Sequence, residues 1–396
     1  MKRIALVVQR CHPDALGGSE ALAWHYACLL RERYEVEILT SCATDYVTWD
    51  NALPFGEEQR DGITLRRFPV AFSRGRHFTA LHRRMLAEHA ASGSLSNWST
   101  ALAEEFIRFQ GPWCPQLIEH VADNADAYAA VIACTYLYPT SYFALDVVPP
   151  TKRLLVPTLH DEPPAYLPAF ADRARECASL LWLTAAEREL GRRLWKVDHG
   201  DVIGMAIDEE GDAAPEQRER PYFLYCGRID ESKGLRDLLA AFEMLRQQGL
   251  RDIDLVLTGS DHLGLPDRRE IVFLGHVEAA RKRALMAGCS AFVMPSAHES
   301  FSIVTLEAMA QGAWVIANGA SAVLADHVAR SGSGETYQGT ADCADRMLAA
   351  LHRDTTERTR SAEHARRYVS DKYSRDRVAQ ALFAALDKVI EANADT

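Results

Sequence analysis

The chain has 396 residues, of which 48% are hydrophobic and 25% charged, and its formal net charge is −11. This composition is typical of a globular protein and excludes a disordered or fibrous one, and the length favours two domains. The negative charge argues against general nucleic-acid binding. No stretch has the length and apolarity of a membrane-spanning helix.

The first apolar run and the cysteines both indicate a cytosolic protein. The run from Ile4 to Val8 stops at Gln9-Arg10 and no small-residue cleavage site follows, so we interpret it as a buried strand and not as a signal peptide. The nine cysteines are scattered singly without a CxxC pair, which predicts buried, reduced thiols.

Apolar β-branched runs alternate with segments of helical periodicity along the whole chain, a pattern typical of βα units. In the first half, an amphipathic helix is predicted over Ser19–Arg33. Five strands are predicted there: Ile4–Val8, Glu35–Thr40, Val131–Cys134, Arg153–Pro157 and Leu180–Leu183. Five more are predicted in the second half: Tyr222–Cys226, Asp254–Thr258, Ile271–Leu274, Ala291–Met294 and Trp314–Ile316. Two such series predict an α/β protein with two doubly wound parallel sheets.

The predicted domain boundary is the polar stretch Asp208–Arg220, which contains Gly and Pro and lacks apolar periodicity. The first domain is therefore predicted over 1–205 and the second over 206–374. A polar break at Ser370–Ser374 is predicted to precede a final helix over Arg375–Ala392.

The strongest chemical signal is the segment Pro295–Gly312, PSAHESFSIVTLEAMAQG, which follows a predicted buried strand. Ser302 is predicted to cap a helix that Gly312 terminates. Glu299 in the loop and Glu307 in the second turn suit hydrogen bonding to sugar hydroxyls. Three backbone N–H groups at the helix start would bind an anion such as a diphosphate: those of Phe301, Ser302 and Ile303. The alternative is a capped surface helix with incidental acids.

A second signal, Cys226–Gly234 (CGRIDESKG), directly follows another predicted strand. Gly227 allows the backbone to approach a ligand closely, and Arg228 and Lys233 place two cations where open α/β sheets bind ligands. Such cations stabilise a departing nucleoside diphosphate without a metal. Because no DxD-like motif stands at a suitable strand end, no metal is predicted. Taken alone, a basic loop of this kind could be a solvated turn.

With these two segments the chain resembles the family-4 glycosyltransferases, retaining enzymes of GT-B fold in which two Rossmann-like domains face a central cleft. Glu299 and Glu307 match the E-x7-E motif of that family. The resemblance implies that Glu299 holds hydroxyls of the donor sugar and Glu307 the ribose, while Arg228 and Lys233 hold the diphosphate. It also implies that two loops border the base: Thr258-Gly259 and Gly275-His276-Val277.

The resemblance extends to the rest of the chain. In the family, a Gly-Gly loop such as Gly17-Gly18 lies against the donor phosphates and the acceptor, and Ser19 or its neighbour is predicted to cap the following helix. His160 resembles a family histidine that lines the reaction site. The family's final helix returns to the N-terminal domain, which assigns 375–396 to it. Without the resemblance, a glycine pair is more often a plain turn and a lone histidine is usually structural.

Three departures from the family pattern bear on the identity of the donor sugar. Ser302 stands where many members have Gly. Ala313-Trp314 replaces a common Pro. The segment Asn318–Ser321 lacks the usual Gly-Gly pair.

The segment Arg66–Ala87 contains six arginines and no acid, mixed with aromatic and aliphatic residues. This composition suits a peripheral contact with an anionic membrane or the binding of a lipid diphosphate acceptor. A solvated basic helix packed by its apolar face fits equally well. The residues predicted to make the contact are Arg74, Arg76, Arg83 and Arg84.

The sequence therefore predicts a cytoplasmic, retaining, metal-independent glycosyltransferase, in which Glu299, His160, Arg228 and Lys233 are the catalytic candidates. The family context implies bacterial surface polysaccharide synthesis, such as that of lipopolysaccharide, at the inner face of the plasma membrane. The donor would be a GDP- or UDP-linked sugar, no cofactor is expected, and the acceptor would be a glycan or a lipid-linked glycan. Two alternatives remain: a nucleotide-sugar epimerase of GT-B fold, which would convert the donor alone, and a binding module that transfers nothing.

Overall fold

The computed structural model describes residues 1–12, 17–207, 211 and 213–394. The chain divides into two compact units, Met1–Met205 with Val378–Thr396 and Ala206–Arg377. Residues 13–16, directly before the Gly17-Gly18 pair, and residues 208–210 and 212 of the predicted boundary lie outside the described residues.

The first unit contains one eight-stranded sheet. Its strands are β1 (Arg3–Val7), β2 (Glu35–Ser41), β3 (Gly56–Arg60), β4 (Ile63–Phe68), β5 (Tyr128–Cys134), β6 (Arg153–Val156), β7 (Ser179–Trp182) and β8 (Asp201–Val202). The order across the sheet is β3-β4-β2-β1-β5-β6-β7-β8. All neighbours are parallel except β3 and β4. The residues of β6 and β7 are all buried, as expected of central parallel strands covered on both faces.

Helices connect these strands and cover the sheet. They are α1 (Gly18–Leu30), α2 (Arg76–Ser92), α3 (Thr100–Gln110), α4 (Pro115–Asn124), α5 (Pro139–Asp146), α6 (Pro168–Arg175) and α7 (Ala185–Trp195). Neither Ser19 nor its neighbour Gly18 caps α1, contrary to the prediction, because the helix already begins at Gly18 and Gly17 is its N-cap.

The hairpin β3–β4 was not predicted, although its turn carries a recognisable sequence signal. Asp61 and Gly62 join the two strands, and their φ angles are 52° and 76°. Positive φ at both positions is the conformation of a two-residue type I′ turn, for which Asp-Gly is a preferred sequence. The charges in Gly56–Arg60 concealed the strand, because an exposed edge strand lacks the apolar run that marks a buried one.

The second unit contains a six-stranded sheet in which every pair of neighbours is parallel. Its strands are β9 (Tyr222–Cys226), β10 (Asp254–Thr258), β11 (Ile271–Phe273), β12 (Ala291–Met294), β13 (Val315–Asn318) and β14 (Gly334–Tyr337). The order across the sheet is β11-β10-β9-β12-β13-β14. The strands β9 to β11 are added toward one edge and the strands β12 to β14 toward the other, which is the doubly wound order. The two sheets, one parallel throughout and one parallel except for the edge pair β3–β4, confirm the predicted fold class.

The helices of the second unit are α8 (Leu235–Gln247), α9 (Ala279–Gly288), α10 (Ile303–Ala310), α11 (Ala322–Ser331), α12 (Gly339–Leu351) and α13 (Thr355–Tyr373). The last helix of the chain is α14 (Arg375–Ala394). The predicted break at Ser370–Ser374 is too long, because α13 continues to Tyr373 and only Ser374 separates it from α14.

The predicted cationic field of Arg66–Ala87 is corrected by the fold, which brings acids from elsewhere in the chain. Arg66 and Arg67 lie in β4 and not in a helix, and they pair with Glu37 and Glu58 at 2.8 Å. Arg84 pairs with Glu88 at 2.7 Å. Glu37 and Glu58 precede the segment and Glu88 directly follows it, so a count restricted to Arg66–Ala87 leaves out all three partners.

Of the four arginines predicted to make the contact, Arg74 also has an internal role. Its guanidinium donates to the carbonyl oxygen of Gln110 at 2.7 Å, and burial lowers its pKa. Arg76 and Arg83 are exposed on α2. Arg84 is exposed as well, and membrane or acceptor binding by this segment stays a prediction. Within the described residues, no helix is long and apolar enough to cross a membrane.

Candidate functional site

Two loops meet at the switch point of the second sheet, which is the place between β9 and β12 where the order of strand addition reverses. One follows β9 and carries Arg228 and Lys233; the other follows β12 and carries Glu299. In doubly wound sheets, ligands bind at the carboxyl ends of the two strands on either side of this reversal. The two strongest sequence signals therefore lie at the position where the topology favours a ligand.

Gly234 allows these two loops to touch. Its φ is 75°, and a Cβ atom at this position would lie 2.4 Å from the carbonyl oxygen of Pro295. Any side chain would therefore separate the loops and would also strain the backbone. The approach places Lys233 Nζ 2.7 Å from Glu299 Oε1, with both side chains largely covered.

Arg228 lies in the same loop with a partly exposed guanidinium, 3.5 Å from Asp230. The Asp230 carboxylate accepts the backbone N–H of Lys233 at 3.0 Å and so caps the short 3₁₀ turn that carries the lysine. Two cations and two carboxylates, those of Asp230 and Glu299, are thus held together at this edge of the sheet. Such an arrangement can bind a phosphorylated sugar.

Backbone hydrogen bonds join the loops predicted to border a base to the loop that follows β9. Gly227 donates to the carbonyl oxygen of Thr258 at 3.0 Å, and Gly259 donates to that of Gly275 at 2.9 Å. A Cβ on Gly259 would lie 2.0 Å from the oxygen of Gly227, so the close contact requires glycine. His276 is exposed and its Nε2 lies 3.0 Å from the hydroxyl of Ser260, while Val277 is half-buried.

The helix start at α10 differs from the prediction. Ser302 does not cap the helix with its side chain; its φ is 62° and its hydroxyl lies 2.9 Å from that of Thr305. Left-handed backbone favours glycine, which gives a physical reason for the Gly that many family members have there. Phe301 and Ser302 are buried while Ile303 is partly exposed, so an anion would have less access to this backbone than the sequence suggested.

The end of α10 agrees with the prediction for Gly312. Its φ is 80°, and its N–H donates to the carbonyl oxygen of Met309 at 2.9 Å. The next N–H, that of Ala313, donates to the carbonyl oxygen of Ala308 at 3.0 Å. This pair of bonds is the Schellman motif that ends a helix at glycine.

The strained backbone at Ser302 gives a stability prediction. Ser302→Gly and Ser302→Ala both remove the hydroxyl, but only glycine relieves the left-handed conformation. We expect the glycine variant to be more stable than the alanine variant by about 1–2 kcal/mol, measured as the free energy of unfolding in urea. Equal stabilities would show that Ser302 is not strained.

A buried histidine that the sequence analysis missed supports the same loop. His327 lies in α11 with Nε2 2.9 Å from the carbonyl oxygen of Phe301 and Nδ1 2.8 Å from the hydroxyl of Tyr368. Because a carbonyl only accepts, Nε2 donates to it, and Nδ1 accepts from the tyrosine. Burial lowers the pKa of His327 to about 4, so the ring is neutral at pH 7.

Glu307 does not share a contact with Glu299. Its two oxygens each lie 2.8 Å from Nζ of Lys282, a residue of α9. Lys282 was also missed by the sequence analysis, because nothing in its local sequence distinguishes it from a solvated lysine.

In the first unit, Gly17 leaves room for the side chain of a buried acid. A Cβ on Gly17 would lie 2.0 Å from the carboxylate of Glu20, and Gly18 begins α1. Glu20 is buried and pairs with Arg10 at 2.6 Å. An acid in the first turn of a helix is favoured by the helix dipole, and this is the signal that could have identified Glu20.

His160 follows β6 and is about one third exposed. Its Nδ1 lies 3.7 Å from a carboxylate oxygen of Glu162, which also accepts the hydroxyl of Tyr136 at 2.9 Å. The residue before it, Leu159, donates its N–H to the buried carboxylate of Glu187 at 2.7 Å. The histidine therefore stands on a loop that a buried acid fixes.

Comparison with known proteins adds a family to this geometry. Residues 220–353 match the family model described as Glycosyl transferases group 1. The match lies within the second unit. The matched residues contain both loops of the switch point together with Lys282 and Glu307. The match confirms the predicted resemblance to glycosyltransferases of the family-4 type.

One curated protein similar to this chain is the phosphatidyl-myo-inositol mannosyltransferase of Mycolicibacterium smegmatis, which is 35% identical over 174 residues, 41% of this chain and 43% of that protein. The matched segments span between 23% and 43% of the curated relatives' lengths.

Two solved structures are similar over almost the whole chain. Sucrose-phosphate synthase from Thermosynechococcus elongatus has a TM-score of 0.70 and 16% identity, covering 99% of this chain and 100% of that one. Anabaena HepE in complex with UDP and glucose has a TM-score of 0.67 and 17% identity, covering 98% of this chain and 99% of that one. At this identity the likeness shows the fold alone, and that fold is GT-B.

Proposed function

We propose that the protein transfers a glycosyl group, with retention of anomeric configuration, from a nucleoside-diphosphate sugar to a hydroxyl of a glycan or lipid-linked acceptor. The observation that carries this proposal is the contact between Lys233 and Glu299 at the switch point of the second unit. HepE was solved with UDP and glucose, which supports a nucleotide-sugar donor. The mannosyltransferase relative is named for a lipid acceptor, which supports a lipid-linked one here.

The proposed site divides the donor between the two loops. Arg228 and Lys233 bind the diphosphate, and Glu299 accepts hydrogen bonds from hydroxyls of the sugar. An ammonium group has three donors, so Lys233 can keep its bond to Glu299 while it binds a phosphate oxygen. The lysine thereby ties the position of the sugar to that of its leaving group.

In the proposed reaction, the acceptor oxygen bonds to the anomeric carbon on the face from which the diphosphate departs. The bond between that carbon and the phosphate oxygen breaks, and its electron pair stays on the nucleoside diphosphate. The acceptor's proton passes to the departing phosphate oxygen. Arg228 and Lys233 stabilise the developing negative charge, and His160 is proposed to line the acceptor side.

The test is product formation from UDP- and GDP-linked sugars with lipid-linked glycan acceptors, with the anomeric configuration read by NMR. We expect the product to keep the donor's configuration. Inversion would contradict the retaining mechanism. An altered sugar formed from donor alone would instead indicate an epimerase, and nucleotide binding without any product would indicate a binding module.

Excess chelator is expected to leave the initial rate within about twofold of the untreated enzyme, because two side-chain cations take the role that a divalent ion plays elsewhere. The matched control is a chelator sample saturated with magnesium before it is added. Loss of activity in chelator that magnesium or manganese restores would contradict metal independence.

A further inference from the structure

A cavity of about 440 Å³ lies at the amino ends of β13 and β14 in the second unit. Trp314, which directly precedes β13, and Gly332, two residues before β14, are part of its lining. The loops that carry Arg228 and Glu299 follow the carboxyl ends of strands in the same parallel sheet, so the cavity lies at the opposite edge. Its volume is in the range of small-molecule sites. A ligand bound there would leave the switch point unoccupied.

An arginine is stacked on the tryptophan of this cavity. Arg353 lies in the three-residue connection between α12 and α13, and its guanidinium carbon is 3.6 Å from the centre of the Trp314 ring. Stacking on an aromatic ring fixes the plane of a guanidinium group. A proline is common in the family at the place of Ala313-Trp314, and a proline ring offers no aromatic face. The stacked pair therefore departs from the family pattern together with the tryptophan.

Arg353 has hydrogen-bond donors that the protein does not use. Its Nη2 donates to the hydroxyl of Ser361 at 2.6 Å and to the carbonyl oxygen of Glu357 at 3.1 Å. A guanidinium group has five N–H donors, so three remain, on Nε and Nη1. Within the part of the chain that the structure describes, these three have no partner, and neither nitrogen is buried. They are therefore accessible to a ligand in the cavity.

The charge of Arg353 is only partly compensated by the protein. Burial and the neighbouring Arg358 lower its pKa, and nearby acids, Glu357 foremost, offset this in part. Arg353 forms no ion pair with a described residue, and a half-buried cation without a paired anion is unfavourable. Arg360, an exposed residue of α13, lines the same cavity and likewise pairs with no acid among the described residues. The two arginines together favour an anionic ligand.

Two acids also line the cavity, and they bear on what the anion is attached to. Glu335 lies 3.3 Å from Arg346, which compensates its charge. Glu357 is exposed, and its carboxylate has no hydrogen bond or ion pair with a described residue. Such a carboxylate repels a bare anion but accepts hydrogen bonds from hydroxyl groups. A phosphate attached to a sugar matches both the arginines and Glu357.

We propose that this cavity is a second ligand site, for a small sugar phosphate, in which Arg353 and Arg360 bind the phosphoryl group and Glu357 accepts from sugar hydroxyls. A phosphoryl group has three terminal oxygens and about two negative charges, which suits contacts from two arginines. The inference goes beyond the proposed function and does not depend on it, because neither the site nor its test involves glycosyl transfer.

The test is calorimetry of the full-length protein with glucose 6-phosphate, inorganic phosphate and glucose as separate ligands. We expect saturable binding of glucose 6-phosphate, weaker binding of inorganic phosphate and no binding of glucose. Arg353→Met is expected to weaken glucose 6-phosphate by at least about tenfold, in the range of one hydrogen bond to a charged group. Arg360→Gln, at an exposed position where the fold does not depend on the side chain, is expected to weaken it by about threefold.

Two controls separate this site from a general attraction of anions and from the switch point. Arg330→Met removes an exposed arginine of the same unit that pairs with Asp326 and does not line the cavity. Arg228→Met removes a cation of the loop that follows β9. Both variants are expected to bind glucose 6-phosphate with the affinity of the wild type.

The outcomes decide the inference without touching the proposed function, which product formation tests separately. Absence of saturable binding up to about 10 mM glucose 6-phosphate would overturn it. Binding that Arg353→Met leaves intact, or that Arg228→Met abolishes, would place the ligand elsewhere and would overturn it as well. Equal affinities for glucose 6-phosphate and inorganic phosphate would exclude a role for Glu357, and with it the assignment to a sugar phosphate.

Discussion

Replacing Glu299 by glutamine is expected to lower the rate of glycosyl transfer by at least about 100-fold, which corresponds to about 2.7 kcal/mol of transition-state stabilisation. The substitution keeps the size of the side chain but removes the charge that pairs with Lys233 and accepts from sugar hydroxyls. Affinity for the nucleoside diphosphate is expected to change much less, because the diphosphate does not depend on the sugar contact.

The measurement is kcat and KM for the donor, with nucleoside-diphosphate affinity determined separately by calorimetry. Glu231→Gln is the matched control, since Glu231 lies in the 3₁₀ turn beside Lys233 but is exposed and pairs with Arg236. Transfer at the wild-type rate in a folded Glu299→Gln variant would remove Glu299 from the mechanism. Equal losses of rate and nucleotide affinity would mean that it acts only through Lys233 on the phosphates.

The buried strands of both sheets could be predicted because a parallel strand covered on both faces is an uninterrupted apolar run. The limits of Tyr222–Cys226, Asp254–Thr258 and Ala291–Met294 match the prediction to the residue. Strands without such a run were missed. The hairpin strand Gly56–Arg60 carries charges, and Gly334–Tyr337 begins with glycine and glutamate.

Residues of the site could be predicted where charged and glycine residues lie together in a short segment. Lys233 and Glu299 each lie in a motif after a strand, and the sheet order brings those motifs together. Lys282 and His327 carry no local signal, because the partner that each contacts lies at least 25 positions away in the chain. Contacts between elements decide such roles, and a single sequence does not contain those contacts explicitly.

Glu187, a buried acid of the first unit, illustrates the same limit. Glu187 lies in the first turn of α7, where its backbone N–H bonds to the Thr184 hydroxyl at 3.0 Å. That pattern indicates an ordinary capped helix. The fold turns the carboxylate inward, where it accepts the N–H groups of Leu159 at 2.7 Å and Leu183 at 2.6 Å. It therefore joins the ends of two adjacent strands below the His160 loop.

Glu187 is 1% exposed, and burial raises its pKa from 4.5 to about 7 against the backbone hydrogen bonds that lower it. The folded protein therefore binds a proton more tightly here than the unfolded chain does. Its contribution to stability is fully present below pH 4.5 and is lost as the pH rises through about 7. Across that interval we expect the unfolding free energy of the wild type to fall by roughly 3 kcal/mol relative to that of Glu187→Gln, which has no titrating group at position 187.

The variants can be compared by urea unfolding at pH 5 and pH 8, followed by tryptophan fluorescence. Trp182 and Trp195 are fully buried in the same unit as Glu187, so their emission reports its unfolding. Glu189→Gln is the control, because Glu189 lies in the same helix but is exposed and pairs with Arg192; its stability should follow the wild type at both pH values. A constant difference between wild type and Glu187→Gln would show that the carboxylate stays ionised throughout, with its two backbone hydrogen bonds outweighing the cost of burial.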